Sequence, residues 1–188
     1  MRSSNALAAG MLAAILAASA ARAAQLDFVD VTSRDNRFHI IFDGVVEAPV
    51  ARVHEVLVNY AHLGRLNPAI TSTDVAATPT GDGDRVRSVV ESCVLFFCRE
   101  VVQVEDVIQP DPQTIVARIV PGAGDFENGS ALWRLSDEGR RTRVHYEATR
   151  AAAFWIPPLI GPWAIRHTMR EQLEQSMANL ERLANRPR

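Results

Sequence analysis

The chain has 188 residues, 47% of them apolar, with 20 Lys+Arg against 22 Asp+Glu and a formal net charge of -2. That is material for one ordinary globular domain, neither disordered nor fibrous. Every basic residue is Arg, so chemistry that needs an ε-amine is excluded, and the balance of charge supplies no cationic field for binding nucleic acid.

Met1 and Arg2 precede an apolar run from Ala6 to Ala18, and Ala21-Arg22-Ala23 places small residues at alternate positions. This is the pattern of a secretory signal peptide, residues 1–23. Its apolar run is shorter than the roughly 20 residues that a membrane-spanning helix needs. The expected destination is the periplasm, which oxidises thiols, and residues 24–188 are expected to form a single domain.

Phe38, Ile40 and Phe42 alternate with His39 and Asp43 and lead through Val45 and Val46 to Pro49, predicting a first strand that ends where a helix starts. Val53, Val56, Leu57, Tyr60, Leu63 and Leu66 then follow helical spacing until Asn67-Pro68, predicting a short helical pair. From Ile70 the period becomes two. Turn signals divide the chain into strands near 70–76, 84–93, 98–108, 114–120, 130–136 and 141–149, an antiparallel meander. A long amphipathic helix closes the chain. Ile165, Met169, Leu173, Met177, Leu180 and Ala184 run down one face, and Arg170 stands four residues before Glu174 on the other.

This order, with Glu47-Ala48-Pro49-Val50-Ala51-Arg52-Val53, the strand pair after Gly83-Asp84-Arg85-Val86 and the closing segment Pro162 to Leu183, resembles the START-like superfamily of polyketide cyclases and lipid-transport proteins. The resemblance covers roughly residues 36 to 184. It implies an α+β helix-grip fold, a curved antiparallel sheet wrapped around a long C-terminal helix with an apolar cavity between them. Fold does not select the ligand. Trp133 shares a phase with Ala131 and Leu135, and Tyr146 with Val144 and Ala148; both aromatics should face inward, as ligand contacts or as core.

Cys93 and Cys98 enclose Val94-Leu95-Phe96-Phe97. One straight strand would hold their Cα atoms roughly 16 Å apart and aim the side chains to opposite faces. A reversal over the four intervening residues brings them across a hairpin, and in an oxidising compartment this disulfide is the expected arrangement. It would present Phe96 and Phe97 at an apolar tip, for a cavity mouth, a protein partner or a membrane surface; the alternative is a strand core with two unpaired thiols. Ala151 through Ile165 carries no charge and is interrupted by Pro157, Pro158 and Pro162. It is too short to span a bilayer. Trp155 and Trp163 suit a membrane interface or a cavity rim, or the segment is a core-packed connection.

Metal and cofactor motifs are absent. His54-Glu55 lacks the second His of a zinc-protease helix, with Val58 in its place, Gly122-Ala123-Gly124 lacks the third glycine of a dinucleotide loop, and Ser130 lacks the glycine of an esterase elbow. The carboxylates and imidazoles that remain, Glu47, Glu91, Glu105, His145 and Glu147, with Arg118, each fit the solvent face of an alternating strand. His167 and Glu171 read as a surface pair. The expectation is therefore a periplasmic protein that binds a hydrophobic small molecule, a lipid, isoprenoid or polyketide-like compound, without cofactor or metal and with transient membrane-surface contact. The expected ligand contacts are Trp133, Tyr146, Phe96, Phe97, Trp155, Trp163, Met169 and Leu173. The alternatives are a cyclase or dehydrase with a cavity Glu or His as general base, and an interaction module built on the 94–97 tip.

Overall fold

The structure is a computed structural model that describes residues 24–94, 97–155 and 162–187. The strands are β1 (Gln25–Arg34), β2 (Arg37–Val46), β3 (Ile70–Ala77), β4 (Asp84–Val94), β5 (Phe97–Asp111), β6 (Thr114–Ile119), β7 (Phe126–Asp137) and β8 (Thr142–Ala152). The helices are α1 (Val50–Leu57), the four-residue α2 (Leu63–Leu66) and α3 (Pro162–Ala184), with a 3-10 turn at Tyr60–His62. All eight strands form one antiparallel sheet in the order β1-β2-β8-β7-β6-β5-β4-β3.

The predicted helical pair, the six-strand meander and the closing helix are all present, and the α+β helix-grip class holds. β1 is an addition to the expected order. It pairs with β2 through a two-residue turn in which Asp35 and Asn36 have φ of 51° and 58°, the left-handed geometry that matches the twist of a hairpin. Asp and Asn adopt it more readily than other non-glycine residues.

Alternation places Phe42, Val46, Leu135 and Val144 on the concave face, where they meet Val53 and Leu57 of α1 and Met177 and Leu180 of α3 in the main core. The C-terminal end of α3 is tied to the corner between β2 and α1. Glu181 accepts from the Glu47 amide at 2.9 Å, Asn185 donates to the Glu47 carbonyl at 3.0 Å, and Arg52 donates to the Ala184 carbonyl at 3.2 Å. The last contact places a cation on carbonyls that the helix leaves without an internal acceptor role. Arg170 donates to Glu174 at 2.9 Å, the predicted surface pair, and His167 lies 3.4 Å from Glu171.

Cys93 and Cys98 face each other across the β4–β5 hairpin with Cα atoms 4.0 Å apart, and their sulfurs are bonded. The reversal reading of that stretch therefore holds. Residues 1–23, the tip residues Leu95 and Phe96, and 156–161 lie outside the described residues, as do the expectations placed on them. Among the described residues no helix is long and apolar enough to cross a membrane.

Candidate functional site

Between the concave face of the sheet and α3 lies a cavity of about 400 Å³, within the range of small-molecule sites. Its origin can be followed along the ladder. Ala148 of β8 pairs with Ala131 of β7, and Ala131 with Ala117 of β6, so three alanines stand in line across the middle of the sheet. Ile40 and Val107 close the row on either side. Short side chains there leave the space beneath α3 unfilled. The neighbouring row is bulky: Phe42 pairs with Tyr146, Tyr146 with Trp133, and Trp133 with Ile115. Its aromatic rings pack at centroid separations of 4.3 Å for Trp133–Tyr146 and 5.1 Å for Phe42–Tyr146, forming one wall. From α3, Ile165, Met169, Leu173, Met177 and Leu180 complete the apolar lining, and half-buried Thr168, Gln172 and Ser176 stand beside them.

The apolar enclosure contains a polar cluster. Along β5 the positions Arg99, Val101, Gln103, Glu105 and Val107 alternate onto the cavity wall. Glu105 accepts from Gln103 Nε2 at 2.6 Å and from the guanidinium of Arg150, which comes from β8. Arg150 is 8% exposed and also donates from Nη1 to the carbonyls of Ser130 and Thr149, at 2.7 and 2.9 Å. To reach Glu105 it must cross β7 and β6. Its partner on β7 is Gly129, where a Cβ would sit 3.0 Å from Arg150 Cδ and 2.4 Å from the Thr149 carbonyl oxygen; the missing side chain lets the arginine lie over the strand.

Glu105 thus faces inward, which corrects its assignment to a solvent face. Alternation counted from Val104, one residue before it, or from Val107, two residues after it, gives opposite answers for Glu105, and all three are buried or half-buried. Arg150 and Gln103 were not singled out by sequence reasoning. The signal that could have found Arg150 is its phase, two and four residues after Ala148 and Tyr146. The remaining candidates stay on the outside. Glu91, Arg118 and Glu147 are exposed, and His145 pairs with Asp43 at 2.8 Å outside the cavity. Glu47 serves the α3 corner.

Trp133, Tyr146, Met169 and Leu173 line the cavity. Trp155 and Trp163 are not among the lining residues; they are 68% and 66% exposed. Trp163 stacks on His167 with ring centroids 5.8 Å apart. Phe96 lies outside the described residues, as does the side chain of Phe97.

Tyr146 is enclosed by protein yet only half-buried, because the rest of its surface opens into the cavity. That enclosure raises its phenol above the ordinary tyrosine value, with Arg150 opposing and Glu105 reinforcing. Its hydroxyl has no hydrogen-bond partner among the described residues. Tyr60, which also lines the cavity and accepts from Gln109 at 3.3 Å, is pushed up to about 12, mainly by desolvation. A neutral phenol beside a paired carboxylate and guanidinium can orient a polar oxygen, and the carboxylate can take up a proton.

The family model for polyketide cyclase / dehydrase and lipid transport matches residues 42–185, and the chain belongs to that family. No curated protein matches it. Among solved structures it is similar to TTHA0849 of Thermus thermophilus, with 22% identity over 78% of this chain and 96% of that one and a TM-score of 0.63. A START superfamily protein from Mycobacterium smegmatis superposes with a TM-score of 0.59 at 18% identity, over 76% of this chain and 94% of that one. The Zhui aromatase/cyclase of a Streptomyces species does so with a TM-score of 0.53 at 17% identity, over 79% and 91%. Identities this low establish the shared fold.

Proposed function

We propose that the protein binds a hydrophobic small molecule between its sheet and α3, with the Glu105–Arg150 cluster meeting the polar part of the ligand. The observation that carries this reading is a cavity of about 400 Å³ lined by apolar side chains and containing one buried, hydrogen-bonded charge pair. Family membership and the shared fold of START-like structures support it. Protein purified without detergent and extracted with organic solvent should release a lipid-like compound detectable by mass spectrometry. Leu173→Trp, which fills the cavity from α3, should reduce the yield. Repeated extractions without such a compound, together with no binding to a lipid panel, would overturn the reading.

Export through residues 1–23 and residence in the periplasm belong to the same proposal, supported by the disulfide. Fractionation should recover a mature chain beginning at Ala24. Transient contact with a membrane surface draws support from the exposed indoles of Trp155 and Trp163; vesicle sedimentation lost in the double Ser variant would bear it out.

A second reading, a cyclase- or dehydrase-type activity, is favoured by the inward Glu105 beside Arg150. In that case Glu105→Gln abolishes turnover of a polyketide-like substrate, and an unchanged rate rules the role out.

A further inference from the structure

The cavity wall carries three charged side chains among the described residues, and each is neutralised where it stands. Arg150 meets Glu105, and Arg99 lies 3.4 Å from Asp125. The second oxygen of Glu105 is taken by Gln103, and the Nη1 of Arg150 by two backbone carbonyls. Donors that stay open include the Tyr146 hydroxyl and the buried Nε of Arg99. The wall therefore offers hydrogen bonds without unbalanced positive charge.

A carboxylate brought against this wall would lose its hydration beside Glu105, with no free cation to offset the loss. A neutral oxygen costs far less to desolvate and finds a donor waiting. Resting on the cavity-binding reading above, we infer that the ligand is a neutral amphiphile whose ketone or alcohol oxygen enters first and accepts the Tyr146 hydrogen bond, and that Glu105 filters out carboxylates. Glu105 is then a specificity residue: by neutralising Arg150 it removes the cation that an acid would otherwise use.

The experiment is competition against the neutral fluorophore N-phenyl-1-naphthylamine by dodecanol, a dodecanone and dodecanoate, at about pH 8, where a free carboxylate is ionised. On the wild-type protein the alcohol and the ketone should displace the probe at concentrations at least about tenfold below those of the acid. Glu105→Gln should raise the affinity for dodecanoate relative to dodecanol by at least about tenfold. Tyr146→Phe should weaken the ketone about three- to tenfold. Dodecanoate competing as well as dodecanol on the wild-type protein, or a ratio unmoved in Glu105→Gln, overturns the filter. If Glu105→Gln does not fold, an unchanged ketone affinity in Tyr146→Phe does the same for the orientation. Failure of all three compounds to displace the probe, with no lipid released on extraction, removes the cavity-binding reading itself and this inference with it.

Discussion

Gly129 and Arg150 act as one device. With a Cβ at Gly129, the Thr149 carbonyl oxygen would be 2.4 Å away, and backbone cannot yield as a flexible side chain does. Gly129→Ala should therefore cost about 1–3 kcal/mol, read from urea unfolding, and should lower ligand yield because Arg150 is displaced. The ion pair makes a separate prediction. Arg150→Met leaves the Glu105 carboxylate buried without its cation, an expected loss of about 3–5 kcal/mol; adding Glu105→Leu should recover most of it, since a buried pair is strongly coupled but contributes little net stability. A double variant no more stable than Arg150→Met would contradict the pairing. None of this was legible from single residues. Glu105 follows Val104 and precedes Asp106 on a strand whose two faces are both partly covered, and Arg150 reads as the charged boundary of an apolar segment. Only the register that brings β8 and β5 into one curved sheet shows them meeting.

At the level of elements, periodicity carried most of the architecture. β4 through β8 and α3 were legible because apolar alternation, turn residues and helical spacing agreed with one another. β1 escaped because Gln25–Arg34 is an edge strand, half-exposed along much of its length, and lies next to the expected cleavage point. Its signal was the Asp35-Asn36 turn rather than its own pattern. The hairpin disulfide closes a ring of six residues, and the loop-entropy relation gives such a ring about 2 kcal/mol. Reduction, or Cys93→Ser with Cys98→Ser, should lower stability in urea by no more than that amount while leaving the far-ultraviolet circular dichroism unchanged. α3 is held more firmly. Leu180 is 1% exposed in the main core, and Leu180→Ala should cost about 2–5 kcal/mol.

The whole molecule has an unusually simple titration at high pH. It contains no Lys, two Tyr and two Cys, and the cysteines are bonded to each other. Between the ordinary tyrosine value and the range where arginine titrates, the side chains left to lose protons are Tyr60 and Tyr146. Both phenols hold their protons more tightly folded than unfolded. Stability should hold up to about pH 10 and fall as pH rises towards 12, with Tyr60 accounting for on the order of 2 kcal/mol of the loss. Tyr60→Phe should flatten the decline, and phenolate absorbance should appear in step with unfolding. Absorbance that rises well before the fold is lost would contradict the burial of both rings. The sequence supplied the absence of Lys, but the environment of the two phenols depends on the closure of the sheet over α3.

The transverse line Ala117–Ala131–Ala148 has an implication for how such a container can diversify. Capacity is set by side-chain bulk at its two lining members, Ala117 and Ala131, on rigid ladder positions away from the turns and the bonded hairpin. One or two methyl-scale replacements there could resize the chamber for shorter or thinner guests while the scaffold and its recognition chemistry stayed as they are.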